Sequence, residues 1–261
     1  MMKNVLKCAL SVAVFLCFAA GGASALPINE RNSKIVPGPS GGEPSLQEIL
    51  DKTFSYKGGR AIDVIEDQRN VAIFEQADLT VSKTWTVDIV NTGGTFGIYS
   101  YKDPSKKYDF FSVAADDDYP TATFEIEGSV GTGFSLAINS KVVDYDFGSA
   151  FGFFWKSGPE TIYTEDTLNG GHSEVLVYNL KDGTEATLKT NFNGKTLERT
   201  YPLDGGNEWL FAFDRARGGN SDYQDGIFLV KDISAVPEPT TMLLVGFGLI
   251  GLAGMGRKKI K

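Results

Sequence analysis

Thr80-Val81-Ser82-Lys83-Thr84-Trp85-Thr86-Val87-Asp88-Ile89-Val90 alternates between two kinds of side chain with a period of two. Successive strand residues point to opposite faces, so such a stretch offers one row of Val, Trp and Ile to a core and one row of Thr and Ser elsewhere. The same period runs through Ala122-Thr123-Phe124-Glu125-Ile126-Glu127 and Phe134-Ser135-Leu136-Ala137-Ile138. Glu174–Tyr178, Gly152–Trp155, Trp209–Phe213 and Ile227–Val230 are further short runs rich in β-branched and aromatic residues. Gly, Asn and Asp separate them, and Asp182-Gly183 and Asn193-Gly194 read as hairpin turns between strand-like runs. No helical pattern of ten or more residues interrupts this region, which disfavours a βαβ layout, and no repeat suggests a solenoid. The expectation is an all-β fold, an antiparallel, jelly-roll-like β-sandwich over residues 61–235.

Moving outward toward the N-terminus, Ser45-Leu46-Gln47-Glu48 has the form of a capping box ahead of Ile49 and Leu50. It predicts a short helix over Leu46–Lys52, packed on the edge of the sandwich. Pro27, Pro37, Pro39, Pro44 and several glycines mark an extended spacer before it, so residues 26–60 read as a linker carrying that helix. Residues 1–25 have the layout of a cleavable signal peptide. Lys3 and Lys7 precede the apolar run Cys8–Ala20, and Ala23-Ser24-Ala25 supplies the small residues at the cleavage site, with Ala23 and Ala25 at its two selective positions. Both cysteines, Cys8 and Cys17, lie inside this segment. The mature chain then has no thiol, which excludes disulfides, cysteine nucleophiles and Cys-ligated metals. Losing Lys3 and Lys7 also takes the formal charge from -8 to -10. An acidic chain lacks the basic footprint that nucleic acids require, so no nucleic-acid partner is expected.

At the other end, Val236-Pro237-Glu238-Pro239 leads into Thr240–Gly256, which contains no charged residue, and Arg257, Lys258, Lys259 and Lys261 follow. A helix over that uncharged stretch would be about 25 Å long, close to the ~30 Å hydrocarbon core of a bilayer. Basic residues beyond it place that end on the cytoplasmic side. Gly246-Phe247-Gly248-Leu249-Ile250-Gly251 matches G-x-G-x-x-G by letter, but too little chain follows for a dinucleotide-binding unit. Small residues that let membrane helices approach explain these glycines better. Residues 236–261 closely resemble the PEP-CTERM sorting signal of Gram-negative bacteria, with Pro237, Glu238 and Pro239 as its motif. That resemblance implies recognition by an exosortase, export through the secretion machinery and transient anchoring in the inner membrane by a C-terminal transmembrane helix. It further implies delivery to the cell surface or outside the cell, in organisms that make exopolysaccharide.

Candidates for chemistry are few. His172 is the only histidine, and Gly170-Gly171-His172-Ser173 lacks the G-x-S-x-G elbow of a hydrolase. A turn histidine is the ordinary explanation. Asp116-Asp117-Asp118 reads as a solvated acidic turn. The richest segment is Phe213-Asp214-Arg215-Ala216-Arg217-Gly218-Gly219-Asn220-Ser221-Asp222-Tyr223-Gln224-Asp225. Oxygen-bearing side chains at 214, 220, 222, 224 and 225 could wrap a calcium ion, which takes six to eight oxygens, although the spacing is not that of an EF-hand. A hairpin whose Asx side chains cap their own backbone is the alternative. The segment resembles an uncharacterised β domain of secreted bacterial proteins, with a signature near F-E-D-x-x-x-G-G-D-x-D-Y/F-N-D that often precedes PEP-CTERM signals. The matching positions are Phe213, Gly218, Gly219, Asp222, Tyr223 and Asp225, and the resemblance implies calcium. Arg215 stands where that signature has an acid, which removes a ligand. Asp214, Asp222 and Asp225 are the expected metal ligands.

Taken together, the sequence leads to a non-catalytic, exported surface or extracellular-matrix protein, processed by an exosortase and associated with exopolysaccharide or biofilm. A calcium-dependent carbohydrate-binding or adhesive module is the second reading. A glycosidase is the third, since nothing singles out a catalytic carboxylate pair.

Overall fold

Two adjacent strands, Trp209–Phe213 and Gly226–Lys231, explain the architecture, because they are buried on both faces rather than one. In the computed structural model they pair along Trp209↔Val230 to Phe213↔Gly226. Trp209, Phe211 and Phe213 meet one layer of the molecule, while Leu210 and Ala212 join a separate apolar cluster on the opposite side. A strand covered on both faces needs apolar residues at every position, which is why these two read as continuous hydrophobic runs. The structure describes residues 34–38, 42–77, 81–88, 93–114, 119–129, 131–192, 195–214 and 221–236.

In chain order these residues form α1 (Leu46–Thr53), β1 (Phe54–Tyr56), β2 (Phe74–Gln76), β3 (Ser82–Asp88), β4 (Gly94–Ser100) and β5 (Lys107–Val113). There follow β6 (Thr121–Ser129), β7 (Gly133–Ile138), β8 (Lys141–Asp144), β9 (Ala150–Ser157) and β10 (Glu160–Tyr163). After a short 3₁₀ turn at Asp166–Asn169 come β11 (Val175–Asn179), β12 (Thr184–Phe192), β13 (Lys195–Pro202), β14 (Trp209–Phe213), β15 (Gly226–Lys231) and β16 (Ile233–Ala235). Each pairing between these strands is antiparallel.

Three sheets result. The seven-stranded sheet has the order β11-β14-β15-β3-β6-β7-β8. A six-stranded sheet has β16-β2-β9-β4-β5, with β10 paired to β9. The third is β1-β12-β13. The two larger sheets close an aromatic core: Phe96 of β4 stacks on Phe228 of β15 at 4.0 Å between centroids, and Phe153 of β9 meets Phe211 of β14 at 4.8 Å. Phe110 of β5 and Phe124 of β6 extend it at 5.1 Å.

Behind the seven-stranded sheet lies the second core. There Trp85, Val87, Leu176, Tyr178, Leu210 and Leu229 pack in one cluster with Leu46, Ile49 and Leu50 of α1 and Ala186 and Leu188 of β12. The expected antiparallel sandwich is present, but a third layer made of α1 and the three-stranded sheet covers its outer face. These strand orders are not the two four-stranded sheets of a jelly roll.

The helix forms as expected. Ser45 Oγ accepts the Glu48 N–H while the Glu48 carboxylate accepts the Ser45 N–H at 2.7 Å, closing the capping box. Its apolar residues Leu46, Ile49 and Leu50 are all buried, and Phe54 continues directly into β1, which pairs with β12. The segment from Leu46 to Tyr56 therefore packs onto the body, as the edge-packed helix was expected to, while residues 57–60 are exposed. The Asp182-Gly183 turn also differs from expectation. It is tight, with Thr184 N–H donating to Lys181 O and Gly183 at φ 79°, but its flanking strands sit in different sheets. It turns a corner between layers. In contrast, β12 and β13 pair antiparallel as far as Phe192↔Lys195, and Asn193-Gly194 lies outside the described residues. Both cores lie within the compact unit Asn29–Val236.

Candidate metal centre

The end of β14 and the start of β15 fix the site. Asp214 follows Phe213 directly, and its N–H donates to Glu174 O at 3.0 Å, so the backbone there is held by the segment that enters β11. On the returning side, Ser221 and Tyr223 adopt positive φ of 55° and 58°, an uncommon conformation for residues other than glycine. Tyr223 is held in it by burial and by its hydroxyl, which donates to Ser173 O at 2.7 Å. These two left-handed residues tighten the chain around Asp222.

Carboxylate oxygens of Asp214, Asp222 and Asp225 consequently lie within 4.8 Å of one another. Asp214 and Asp222 are only 3% and 4% exposed. Like charges so close, with little water to screen them, repel strongly, and a divalent cation reverses the sign of that interaction. Gln224 adds to the cluster. It is buried, and its Nε2 donates to Asp222 Oδ2 at 2.9 Å and to Glu43 Oε2 at 3.0 Å. With the amide nitrogen committed to two carboxylates, Oε1 is left as a buried acceptor with no hydrogen-bond partner among the described residues. Such an oxygen costs about 1–3 kcal/mol unless a donor or cation meets it. Three carboxylates and a carboxamide oxygen are the hard oxygen donors that calcium selects, so the residues present fit that ion.

The site also reaches the N-terminal segment. Gly38 N–H donates to Ser221 O at 2.7 Å, and Ile35 is held through both backbone groups by the buried Gln68 side chain at 3.0 and 2.6 Å. Glu43 was missed by sequence reasoning. It sits in a Pro/Gly-rich stretch 181 residues from Gln224, and no local pattern marks it.

Of the expected ligands, the structure brings 214, 222 and 225 together and sets 224 against 222. Arg215 and Asn220 lie outside the described residues, as do Asp116, Asp117 and Asp118. His172 is exposed. Ala23, Ala25, Pro237, Glu238, Pro239 and the uncharged stretch 240–256 are likewise outside the described residues. No helix among the described residues is long and apolar enough to cross a membrane.

Comparison with known proteins defines the class through the tail rather than the body. The family model of the PEP-CTERM protein-sorting motif matches residues 235–258, beginning at the last residue of β16. No curated protein matches the chain. The chain thus carries an exosortase-directed sorting signal on a largely β body: it is a membrane-anchored precursor that is exported and processed to the cell surface.

Proposed function

We propose that the processed protein is a non-catalytic component of the cell surface or extracellular matrix, associated with exopolysaccharide. The sorting motif at 235–258 carries this reading. The body supports it: its last strand ends at Ala235, where the motif begins, and both of its cores are complete upstream of that point. A mature chain without thiols, with a single exposed histidine, also favours a binding or structural role. Replacing Pro237-Glu238-Pro239 by alanines tests the sorting step. The full-length variant should accumulate in the inner membrane, and its normal release would contradict the reading.

The Asp214–Asp222–Asp225 cluster favours a second reading, a calcium-dependent adhesive or carbohydrate-binding module. Calorimetry on residues 29–236 should register calcium binding and a rise in melting temperature, both lost in Asp222→Asn. Absence of heat and of any thermal shift in the unaltered body removes this version.

A further inference from the structure

Nearly all large apolar side chains of the described body are buried or half-buried; of the seven that are exposed, Val36, Val81 and Leu168 stand apart, and the other four fall in two neighbouring segments. Val142, Val143 and Tyr145 are exposed on β8 and the loop after it, and Tyr101 is exposed on the turn after β4. Tyr101 and Tyr145 are the two aromatic residues in that exposed set, at 44% and 82%. A shallow cleft of about 260 Å³ lies here, lined by Tyr101, Lys102, Phe134, Asp146 and Ser149 among others.

The exposure of Tyr145 does not come from a loose loop, because the residues on either side are fixed. Asp146 N–H donates to Asp144 Oδ1 at 2.8 Å, Phe147 N–H donates to Phe134 O at 2.8 Å, and the Phe147 ring is fully buried. Lys102 bridges to Asp146 at 3.3 Å, tying the Tyr101 turn to the Tyr145 loop. Lys106 lies 3.3 Å from Asp144, whose Oδ2 also accepts the Tyr108 hydroxyl at 2.8 Å. Burial works to raise the Asp144 carboxyl, but the Asp146 N–H, the Tyr108 hydroxyl and Lys106 outweigh it and hold it below the ordinary aspartate range. The frame is therefore ionic at neutral pH. It turns the Phe147 ring inward and the Tyr145 ring outward. A tyrosine left in water forgoes about 25 cal/mol for each Å² it could have buried, and the fixed backbone on its C-terminal side holds this ring out where a ligand could cover it.

Charge narrows the occupant. Lys102 and Lys106 pair with Asp144 and Asp146, and Asp103 adds a further carboxylate beside them, so the patch has no excess of positive charge on a chain of formal charge -8. A polyanion finds no net attraction there. Sugar rings fit both features, since their C–H faces stack on aromatic rings while their hydroxyls pair with donors and acceptors alike. We propose that this cleft and the Tyr145 ring beside it bind a neutral polysaccharide, with Tyr101 giving a ring face inside the cleft, Tyr145 one at its margin next to Asp146, and Lys102, Asp146 and Ser149 giving polar contacts. The proposal rests on the matrix reading above and supplies the surface that reading lacks.

Affinity electrophoresis of residues 29–236 through gels containing dextran, mannan, galactan or hydroxyethyl cellulose tests it. At least one polymer should retard the body, and Tyr145→Ala and Tyr101→Ala should each weaken that retardation about tenfold, the loss expected for a stacking contact. Both changes are at exposed positions and should leave the melting temperature unaltered, while Leu168→Ala, exposed elsewhere, should bind normally. Three results would overturn the proposal: no retardation by any of these polymers, retardation of Tyr145→Ala equal to that of the unaltered body, or a dimer in sedimentation that Tyr145→Ala dissociates. If no polymer binds while Pro237-Glu238-Pro239 still governs release, the cleft falls and the sorting reading stands.

Discussion

Glu208 is 1% exposed, with Lys231 Nζ 3.6 Å from Oε1 and Oε2 without a hydrogen-bond partner among the described residues. Burial pushes its carboxyl above the ordinary glutamate range despite Lys231. A raised folded pKa means that protonation favours the fold. This contribution is complete below the unfolded value of about 4.3 and is lost as pH rises through the folded value. Glu208→Gln should therefore melt higher than the unaltered body at pH 7, with the difference shrinking toward pH 4, as followed by circular dichroism. A constant difference across that range would count against a desolvated carboxylate. At the same scale, Asp214, Asp222 and Asp225 were legible because all three lie within twelve residues of chain. Glu43 and the two tyrosine faces were not, since only the packed layers decide which of many similar side chains meet.

For the elements, local rules and tertiary rules separate cleanly. The capping box at Ser45 and Glu48 is written in four consecutive residues, and the helix formed where it predicts. Ser45→Ala should cost about 1 kcal/mol in urea unfolding, the usual value for a lost N-cap. Strand positions were equally readable, but the hairpin assigned to Asp182-Gly183 was not, because a tight turn does not record which sheet its next strand joins. Burial of β14 and β15 on both faces was present as two unbroken apolar runs, a signal that a two-layer expectation leaves unused. Leu210→Ala, in the core behind the central sheet, should cost about 2–5 kcal/mol. Gly97 is constrained differently. A Cβ there would run into Tyr108 O at a register shift between β4 and β5, so Gly97→Ala should destabilise the body rather than stiffen it.

At the scale of the whole molecule, the sequence divides into an address and a cargo. The address is linear: its triplet, uncharged span and basic end are consecutive residues, and the family model finds it at 235–258 without any folded context. The cargo is a three-layer β body whose identity depends on contacts between distant strands, and no curated protein resembles it closely enough to lend it a role. Its acidic cluster and the cleft lined by Tyr101 are the features to which the proposals above assign binding. Each of these roles requires that the chain leave the cytosol and lose its tail. Mass spectrometry of the native protein recovered from cell fractions and medium measures that directly. The account predicts a surface or extracellular product starting at Leu26 and ending at or near the Pro237-Glu238-Pro239 triplet. A cytosolic product running intact from Met1 to Lys261 would contradict it.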